Sequence, residues 1–324
     1  MPSPPSPPDR HVHTEWSWDA PHGDMLATCA RAVELGLRAI AFTEHADFTA
    51  WVGGQAMTPS PEGASAGGST KDASPAGAPG GQRRWQWDVG GRLPSRSWPV
   101  RVAAGTRGGH LDITGYWEAI ERCRAAHPGL RIESGIELGE PHLFAEQAAS
   151  LLDHRPLDRV LGSLHCIEMD GELVDVSVPE MLAADRAPAQ FRRYLEASLR
   201  LVESPIPFTI LAHLDYPKRY WPHSELAFDE HDFEEEYRAV LMALARSGRI
   251  LEINSGRGMG APRGPSPGPL PLRWWYQAGG KAVSFGSDAH SPEHVGSGLA
   301  NASALAEAAG FRPASDPLEP WGRA

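Results

Sequence analysis

Short apolar runs alternate with amphipathic segments along most of the chain. The first run begins near Asp9 and predicts a strand. It is followed by an amphipathic helix whose apolar side carries Leu26, Ala30 and Val33 and which ends at Gly36. Residues 38–42 then form a second short apolar run, typical of a buried strand. The pattern therefore predicts one β-α-β unit at the start of the chain.

The same alternation continues to the C-terminus. Strands are predicted at 131–137, 159–165, 208–213, 249–254 and 281–287, and helices at 112–127, 142–152, 188–203, 231–247 and 297–309. Seven strands alternating with helices indicate an α/β fold on a parallel sheet. Nearly every strand ends in a potential metal ligand. This favours a barrel, in which most strands deliver residues to one rim, over an open sheet with a single switch point.

Two segments depart from this pattern. Residues 1–8 are proline-rich, and we expect a disordered tail there. Between 53 and 82, 22 of 30 residues are Gly, Ala, Pro or Ser, a composition that cannot bury enough apolar surface to offset its ordering entropy. The tryptophan-containing part that follows, up to about 110, has no clear pattern. We therefore expect one barrel domain over 9–324 with a low-complexity insertion at about 53–110.

The composition narrows the class of partner. A formal net charge of -11 argues against broad binding to nucleic-acid phosphates, so a small substrate fits better. The three cysteines have no paired spacing, which suits a reducing compartment and offers no thiolate cage for a metal. Neither a signal peptide nor a membrane-spanning run is evident, so we expect a cytoplasmic protein without membrane association.

The potential ligands at the strand ends form a mixed set of imidazoles and carboxylates. They are His11, His13, Asp19, His45, Glu137, His165, His213, Asp288 and His290. Any one of them could be structural, and Asp288 could only cap a helix. Together at one rim they would repel one another unless cations were bound, and nine ligands suit two or three divalent ions of Mn, Fe or Zn. Such clusters favour phosphoester hydrolysis.

The motifs around these ligands carry a family resemblance. They are His11-x-His13, Thr43-Glu44-His45-Ala46-Asp47, Gly135-Ile136-Glu137, Gly162-Ser163-Leu164-His165, Ala212-His213-Leu214-Asp215, Glu252-Ile253-Asn254 and Gly286-Ser287-Asp288-Ala289-His290. In their order and spacing, over nearly the whole chain, the sequence resembles the PHP (polymerase and histidinol phosphatase) superfamily, and within it the histidinol-phosphate phosphatase branch. The resemblance implies a distorted, TIM-like (β/α)7 barrel with a trinuclear metal site.

The resemblance also implies a role for each site residue. One metal would be held by His11, His13, Glu137 and Asp288, a second by Glu137, His165 and His213, and a third by Asp19, His45 and His290. Asp9 and Glu44 would orient neighbouring imidazoles. Arg219 and Arg257 would bind the phosphoryl oxygens, with Lys218 and Arg263 as weaker candidates.

The implied reaction is hydrolysis of L-histidinol phosphate to L-histidinol and phosphate, by in-line attack of a metal-bridging hydroxide on phosphorus. Asp288 or a nearby histidine would protonate the leaving alkoxide. One alternative is a PHP-type nuclease or nucleotide phosphatase, which the acidic balance disfavours. A second is a non-catalytic metal-binding regulatory domain, which would be expected to lack ligands, whereas all nine are present. The sequence does not indicate an oligomeric state.

Overall fold

The structure, a computed structural model, describes residues 6–48, 86–87, 101–102, 109–169, 171–178, 180–258, 260, 263–316 and 318–324. Its strands are β1 (Asp9–Val12), β2 (Ala39–Asp47), β3 (Gln86–Trp87), β4 (Arg101–Val102), β5 (Gly109–His110), β6 (Arg131–Gly139), β7 (Arg159–Ser163), β8 (Cys166–Met169), β9 (Glu172–Asp175), β10 (Ile210–Leu211), β11 (Ile250–Asn254), β12 (Ala282–Gly286), β13 (Phe311–Arg312) and β14 (Trp321–Arg323). Its helices are α1 (Met25–Glu34), α2 (Ile113–Ala126), α3 (Ala145–Leu152), α4 (Ala187–Glu203), α5 (Glu234–Ser247), α6 (Pro269–Gln277) and α7 (Leu299–Ala309).

Seven parallel strands curl into a distorted barrel. They neighbour one another in the order β1, β2, β6, β7, β10, β11 and β12, and β14 and β13 extend the sheet antiparallel from β12. The two ends of the parallel row meet at the rim, where His13 N–H donates to the Ala289 carbonyl and Asp288 N–H donates to the His11 carbonyl, both at 2.8 Å. The predicted α/β barrel is thereby confirmed.

Local sequence signals fix several helix ends. Asp24 caps α1 by accepting from Ala27 N–H, and Asp112 caps α2 by accepting from Gly115 N–H. Helix α5 ends at Gly248, whose φ of 74° lies in the left-handed region that glycine adopts at low cost. All nine residues of β2 are buried, as expected for a barrel strand covered on both faces. The helices thus shield a sheet whose C-terminal ends face one common rim.

One predicted helix face was wrong. Leu26 and Val33 of α1 are 52% and 51% exposed, and Ala30 is also exposed. The buried side of this helix instead carries Met25, Thr28, Cys29 and Ala32. Small residues allow α1 to pack closely on the barrel, and this close packing outweighs the larger apolar area of the other face.

Several further elements were missed or shifted. The hairpin β8–β9 and the helix α6 were not predicted, and His165 and His213 follow their strands instead of ending them. The predicted tail at 1–8 and the insertion at 53–110 lie largely outside the described residues, so this domain division stays a prediction. Among the described helices, none has the length and apolar character needed to cross a membrane.

Candidate metal centre

Glu137, near the end of β6, occupies the middle of the rim and is fully buried. Its two carboxylate oxygens lie 2.7–3.3 Å from ring nitrogens of His11, His13, His45, His165 and His213. The period of two along a strand explains the convergence of β1 on this carboxylate, since His11 and His13 project to the same side. The arrangement suits a carboxylate shared between cations.

The remaining candidates surround this carboxylate on the side of His45. His290 Nε2 lies 2.8 Å and His45 Nε2 lies 3.5 Å from Asp19 Oδ2. Asp288 Oδ1 lies 3.5 Å from His13 Nε2 and 3.6 Å from His290 Nδ1. The structure therefore brings all nine candidate ligands into one cluster.

Four groups of three side chains within this cluster could each hold an ion. They are His11, His13 and Glu137; Glu137, His165 and His213; His13, His45 and His290; and His45, Asp47 and His165. The first two fall within ligand sets implied by the resemblance. The last includes Asp47, which sequence reasoning missed, although its spacing of two residues from His45 on a strand could have indicated it.

The donor set fits divalent cations. The Nε2 atoms of His11 and His13 are only 3.0 Å apart, and both face the same oxygen of Glu137. Three lone pairs, those of the two ring nitrogens and of the Glu137 oxygen, therefore point at one another. One or two protons relieve only part of this repulsion, whereas a single cation can bind all three atoms. In addition, Asp19 Oδ1 is buried and makes no hydrogen bond. Clustered imidazole and carboxylate groups of this kind are ligands that Zn, Fe and Mn accept.

Electrostatics in the cluster point in the same direction. Burial opposes ionisation of Glu137, but the imidazoles of His11, His165 and His45 outweigh it and hold the pKa of the carboxyl well below its usual range. Burial, with the neighbouring rings of His45 and His290, holds the pKa of His13 well below its ordinary value. Burial opposes protonation of His11, His45 and His165, but the surrounding carboxylates outweigh it and raise the pKa of these rings, that of His45 to about 9. These rings therefore hold protons that a metal ion would displace.

Further buried groups hold the imidazoles in place. Glu252 Oε1 lies 2.7 Å from His11 Nδ1, and its Oε2 accepts from His213 N–H at 2.9 Å. Glu44 accepts from the Ser17 hydroxyl at 2.6 Å, and that hydroxyl lies 2.9 Å from His13 Nδ1. Such partners fix the ring orientation and the tautomer of a ligand.

Asp9 plays a different part from the one that the resemblance implied. Its carboxylate accepts from the backbone N–H groups of Ser287 and Gly296, both at 2.8 Å, so it fixes the chain that leads into Asp288. Asp288 and His213 themselves have positive φ, 57° and 21°. Non-glycine residues adopt such angles at a cost, and they do so here at the rim, where strained positions are often functional.

Of the basic candidates, Arg219 reaches the cluster. Its Nη1 donates to Asp288 Oδ2 at 2.6 Å and its Nη2 donates to Asn254 Oδ1 at 2.7 Å. Lys218 points elsewhere, since its ammonium donates to Asp215 and to the Pro265 carbonyl. The side chain of Arg257 lies outside the described residues, and Arg263 is exposed.

Comparison with known sequences gives a consistent picture. The model of the PHP domain matches residues 9–256. A histidinol-phosphatase of Lactococcus lactis subsp. lactis is 28% identical over 206 residues, which cover 62% of this chain and 74% of that protein. A probable histidinol-phosphatase of Thermotoga maritima is 37% identical over 108 residues, 33% of this chain and 43% of that protein.

Solved structures show the same fold. The crystal structure of the histidinol phosphate phosphatase of Lactococcus lactis subsp. lactis, complexed with zinc, L-histidinol and phosphate, has a TM-score of 0.70 at 23% identity and covers 95% of each chain. The putative histidinol phosphatase of Listeria monocytogenes has a TM-score of 0.66 at 16% identity, covering 91% of this chain and 99% of that one. At these identities the likeness concerns the fold.

Proposed function

Because this chain belongs to the PHP domain family, we propose that it is a metal-dependent phosphomonoesterase that hydrolyses L-histidinol phosphate to L-histidinol and phosphate. The observation that carries the chemistry is the convergence of five imidazoles on Glu137, with Arg219 at the edge of the same cluster. The choice of substrate, and with it the assignment to histidine biosynthesis, is supported by the relatives named histidinol-phosphatase and probable histidinol-phosphatase. A small-molecule phosphate ester is therefore the expected partner.

We assign the ligands of two or three divalent ions, Mn, Fe or Zn, to the three sets that the resemblance implied. Glu137 would bridge the first and second sets, and Asp19 with His45 and His290 would form the third. When bound, these ions would polarise the phosphoryl oxygens and acidify a water molecule between them. Glu252 would hold His11 and His213 in the positions that metal binding needs, since it contacts the ring of His11 and the backbone N–H of His213.

The protein's own groups handle charge and protons around the phosphate. Arg219 is held by Asp288 and Asn254, so its guanidinium is oriented before substrate arrives and can stabilise charge on the phosphoryl oxygens. Asp288 is the group we assign to proton transfer, because its Oδ2 is paired with Arg219 while its Oδ1 faces His13. A carboxylate in this position can accept the proton of the attacking water and return it to the leaving alkoxide.

The test is phosphate release by the purified, metal-replete protein. The substrates are L-histidinol phosphate, a nucleoside monophosphate and a single-stranded oligonucleotide, and the variants are His213→Ala and, as a matched control, the exposed His154→Ala. We expect release from L-histidinol phosphate alone, lost in His213→Ala and kept in His154→Ala. Turnover of another ester without turnover of L-histidinol phosphate would refute the substrate assignment. No turnover of any ester would favour a regulatory metal-binding domain.

A further inference from the structure

One buried carboxylate oxygen next to the metal centre makes no hydrogen bond. It is Oδ2 of Asp175, the last residue of β9, whose side chain is 1% exposed. The other oxygen accepts from the Ser177 N–H at 2.6 Å and so closes a turn. The hydroxyl of Ser177 is likewise buried without a hydrogen bond of ordinary geometry. The turn thus uses only one of the two carboxylate oxygens. Oδ2 of Asp175 and the hydroxyl of Ser177 are left without a hydrogen bond.

The backbone fixes Asp175 beside a metal-site histidine. β9 pairs antiparallel with β8, and Asp175 lies directly opposite Cys166, the residue that follows His165. Val176 N–H donates to the carbonyl of His165 at 2.9 Å. Opposed residues of such a pair have Cβ atoms about 4.5–5.5 Å apart, so Asp175 stands at the rim itself.

Apolar side chains pack beside this carboxylate, although the charged groups of His165 and Asp47 also lie near it. Residues opposite each other, and residues two apart on a strand, share a face, so Asp175 lies on the face of Cys166 and Leu173. These two pack with Phe144, and with the partly buried Phe48, in a cluster separate from the main core. An unpaired carboxylate oxygen in such a place is costly unless a donor, and best a cation, occupies the position beside it.

Burial, together with the nearby carboxylate of Asp47, raises the pKa of Asp175 to about 6, against the lowering effect of the Ser177 amide and hydroxyl and of His165.

Building on the proposed phosphatase function, we propose that Asp175, together with the Ser177 hydroxyl, binds a cationic nitrogen of the alcohol part of the substrate while the metal centre and Arg219 hold the phosphoryl group. L-Histidinol phosphate offers such a nitrogen in its ammonium and in its imidazole. Asp175 is then a specificity residue. An ester without a cation leaves a buried carboxylate unpaired, so the site selects against it.

The experiment compares Asp175→Asn with the wild-type holoenzyme on three esters. These are L-histidinol phosphate, 3-(imidazol-4-yl)propyl phosphate, which lacks the ammonium, and p-nitrophenyl phosphate, which lacks any cation. Asparagine keeps an oxygen for the Ser177 amide and removes only the charge. The matched control is Asp158→Asn, whose carboxylate accepts from Ser134 N–H at the opposite end of β7.

We expect Asp175→Asn to raise the KM for L-histidinol phosphate about 10- to 100-fold, as for loss of a hydrogen bond to a charged group, with kcat/KM for p-nitrophenyl phosphate unchanged. The imidazolylpropyl ester identifies the nitrogen, since it responds to the variant only if its ring is the bound cation. L-Histidinol should also inhibit p-nitrophenyl phosphate hydrolysis more weakly in Asp175→Asn. Asp158→Asn should match the wild type on every ester.

Two outcomes would overturn the subsite. An equal loss on all three esters would show that Asp175 only supports the metal centre, and no change on any ester would show that its charge is not used. Should Asp175→Asn fail to fold, Ser177→Ala provides the milder test and should raise KM for the cationic ester alone. Wild-type enzyme that turns over p-nitrophenyl phosphate but neither cationic ester would refute the proposed function instead, and L-histidinol inhibition would still report on the subsite.

Discussion

Two buried glutamates on one strand are neutralised in opposite ways. Glu133 and Glu137 lie four residues apart on β6 and are 2% and 0% exposed. Glu133, near the start of the strand, accepts from Arg10 Nε at 3.2 Å and from Arg159 Nε at 2.9 Å. Glu137, near the rim, is surrounded by imidazoles instead. The same strand thus carries an ion-pair network at one end and the candidate metal centre at the other.

The difference lies in how permanent the positive charge is. A guanidinium stays protonated at any physiological pH, so Glu133 needs nothing from outside the chain. An imidazole gains or loses its proton near neutral pH and, when neutral, becomes a metal ligand. The chain therefore completes one site with its own cations, whereas we expect the other to be completed by exchangeable ones. This contrast separates a structural from a functional cluster on physical grounds.

The largest effect on activity is expected from Glu137→Gln. The amide keeps the shape but cannot serve as an anionic bridge, so the ions should bind weakly and phosphatase activity should fall more than about 100-fold, beyond the range typical for outer partners of a metal site. Elemental analysis of the dialysed protein should show the loss of metal. A chelator should lower the melting temperature of the wild type but not that of the variant. Full metal content in Glu137→Gln would contradict its central role.

Glu133→Gln should show the opposite profile. It leaves the buried Arg10 and the half-buried Arg159 without their shared counter-charge, and breaking a buried pair in this way costs about 3–5 kcal/mol in unfolding free energy. Urea denaturation measures this loss. The folded variant should retain its metal and its kcat, because the residue makes no contact with the rim. A fall in kcat without a change in stability would contradict the assignment of a structural role to Glu133 and of a functional role to Glu137.

Sequence reasoning identified the rim better than the packing around it. The nine candidate ligands could be selected because strand ends are marked by imidazoles and carboxylates, residue types that stand out in an apolar pattern. The face of α1 was wrong because helical spacing indicates which residues share a side, whereas the fit of Cys29 and Ala32 against the barrel decides which side is buried.

Outer partners were harder to predict for a related reason. Glu252 was visible only as part of a family motif, and its contacts with His11 and His213 join strands that are far apart in sequence. Asp175 sits on the hairpin β8–β9, whose short apolar alternations at 167–169 and 174–178 were not interpreted as strands. Pairing across distant segments is a property of the barrel, so a local pattern does not reveal it.

An intermediate effect is expected at Glu252. This carboxylate contacts His11 Nδ1 and His213 N–H but is not among the candidate metal ligands, so Glu252→Gln should lower metal affinity or activity by about 10- to 100-fold, as outer partners of metal sites do. The metal affinity is measured by adding metal to the metal-free variant and following both its activity and its metal content. Restoration of kcat at high metal concentration would mark it as a positioning residue. A loss as deep as that of Glu137→Gln, not rescued by metal, would place it among the ligands instead.

The smallest effect is expected at Glu230, a partly buried glutamate that forms no ion pair with any of the residues that the structure describes. Burial raises its pKa to about 7, Lys218 partly opposes the shift, and Oε2 accepts from Leu270 N–H at the start of α6.

A raised pKa means that the folded protein binds the proton more tightly than the unfolded chain. Its contribution to stability is therefore present below the unfolded pKa of about 4.5 and is lost as the pH rises toward 7. Glu230→Gln keeps the acceptor for Leu270 and should gain stability relative to the wild type as the pH rises from 5 to 8, most of it below pH 7, where the wild type releases its proton. Urea denaturation of both proteins across this range tests it, and a constant difference would show that Glu230 is solvated like a surface carboxylate.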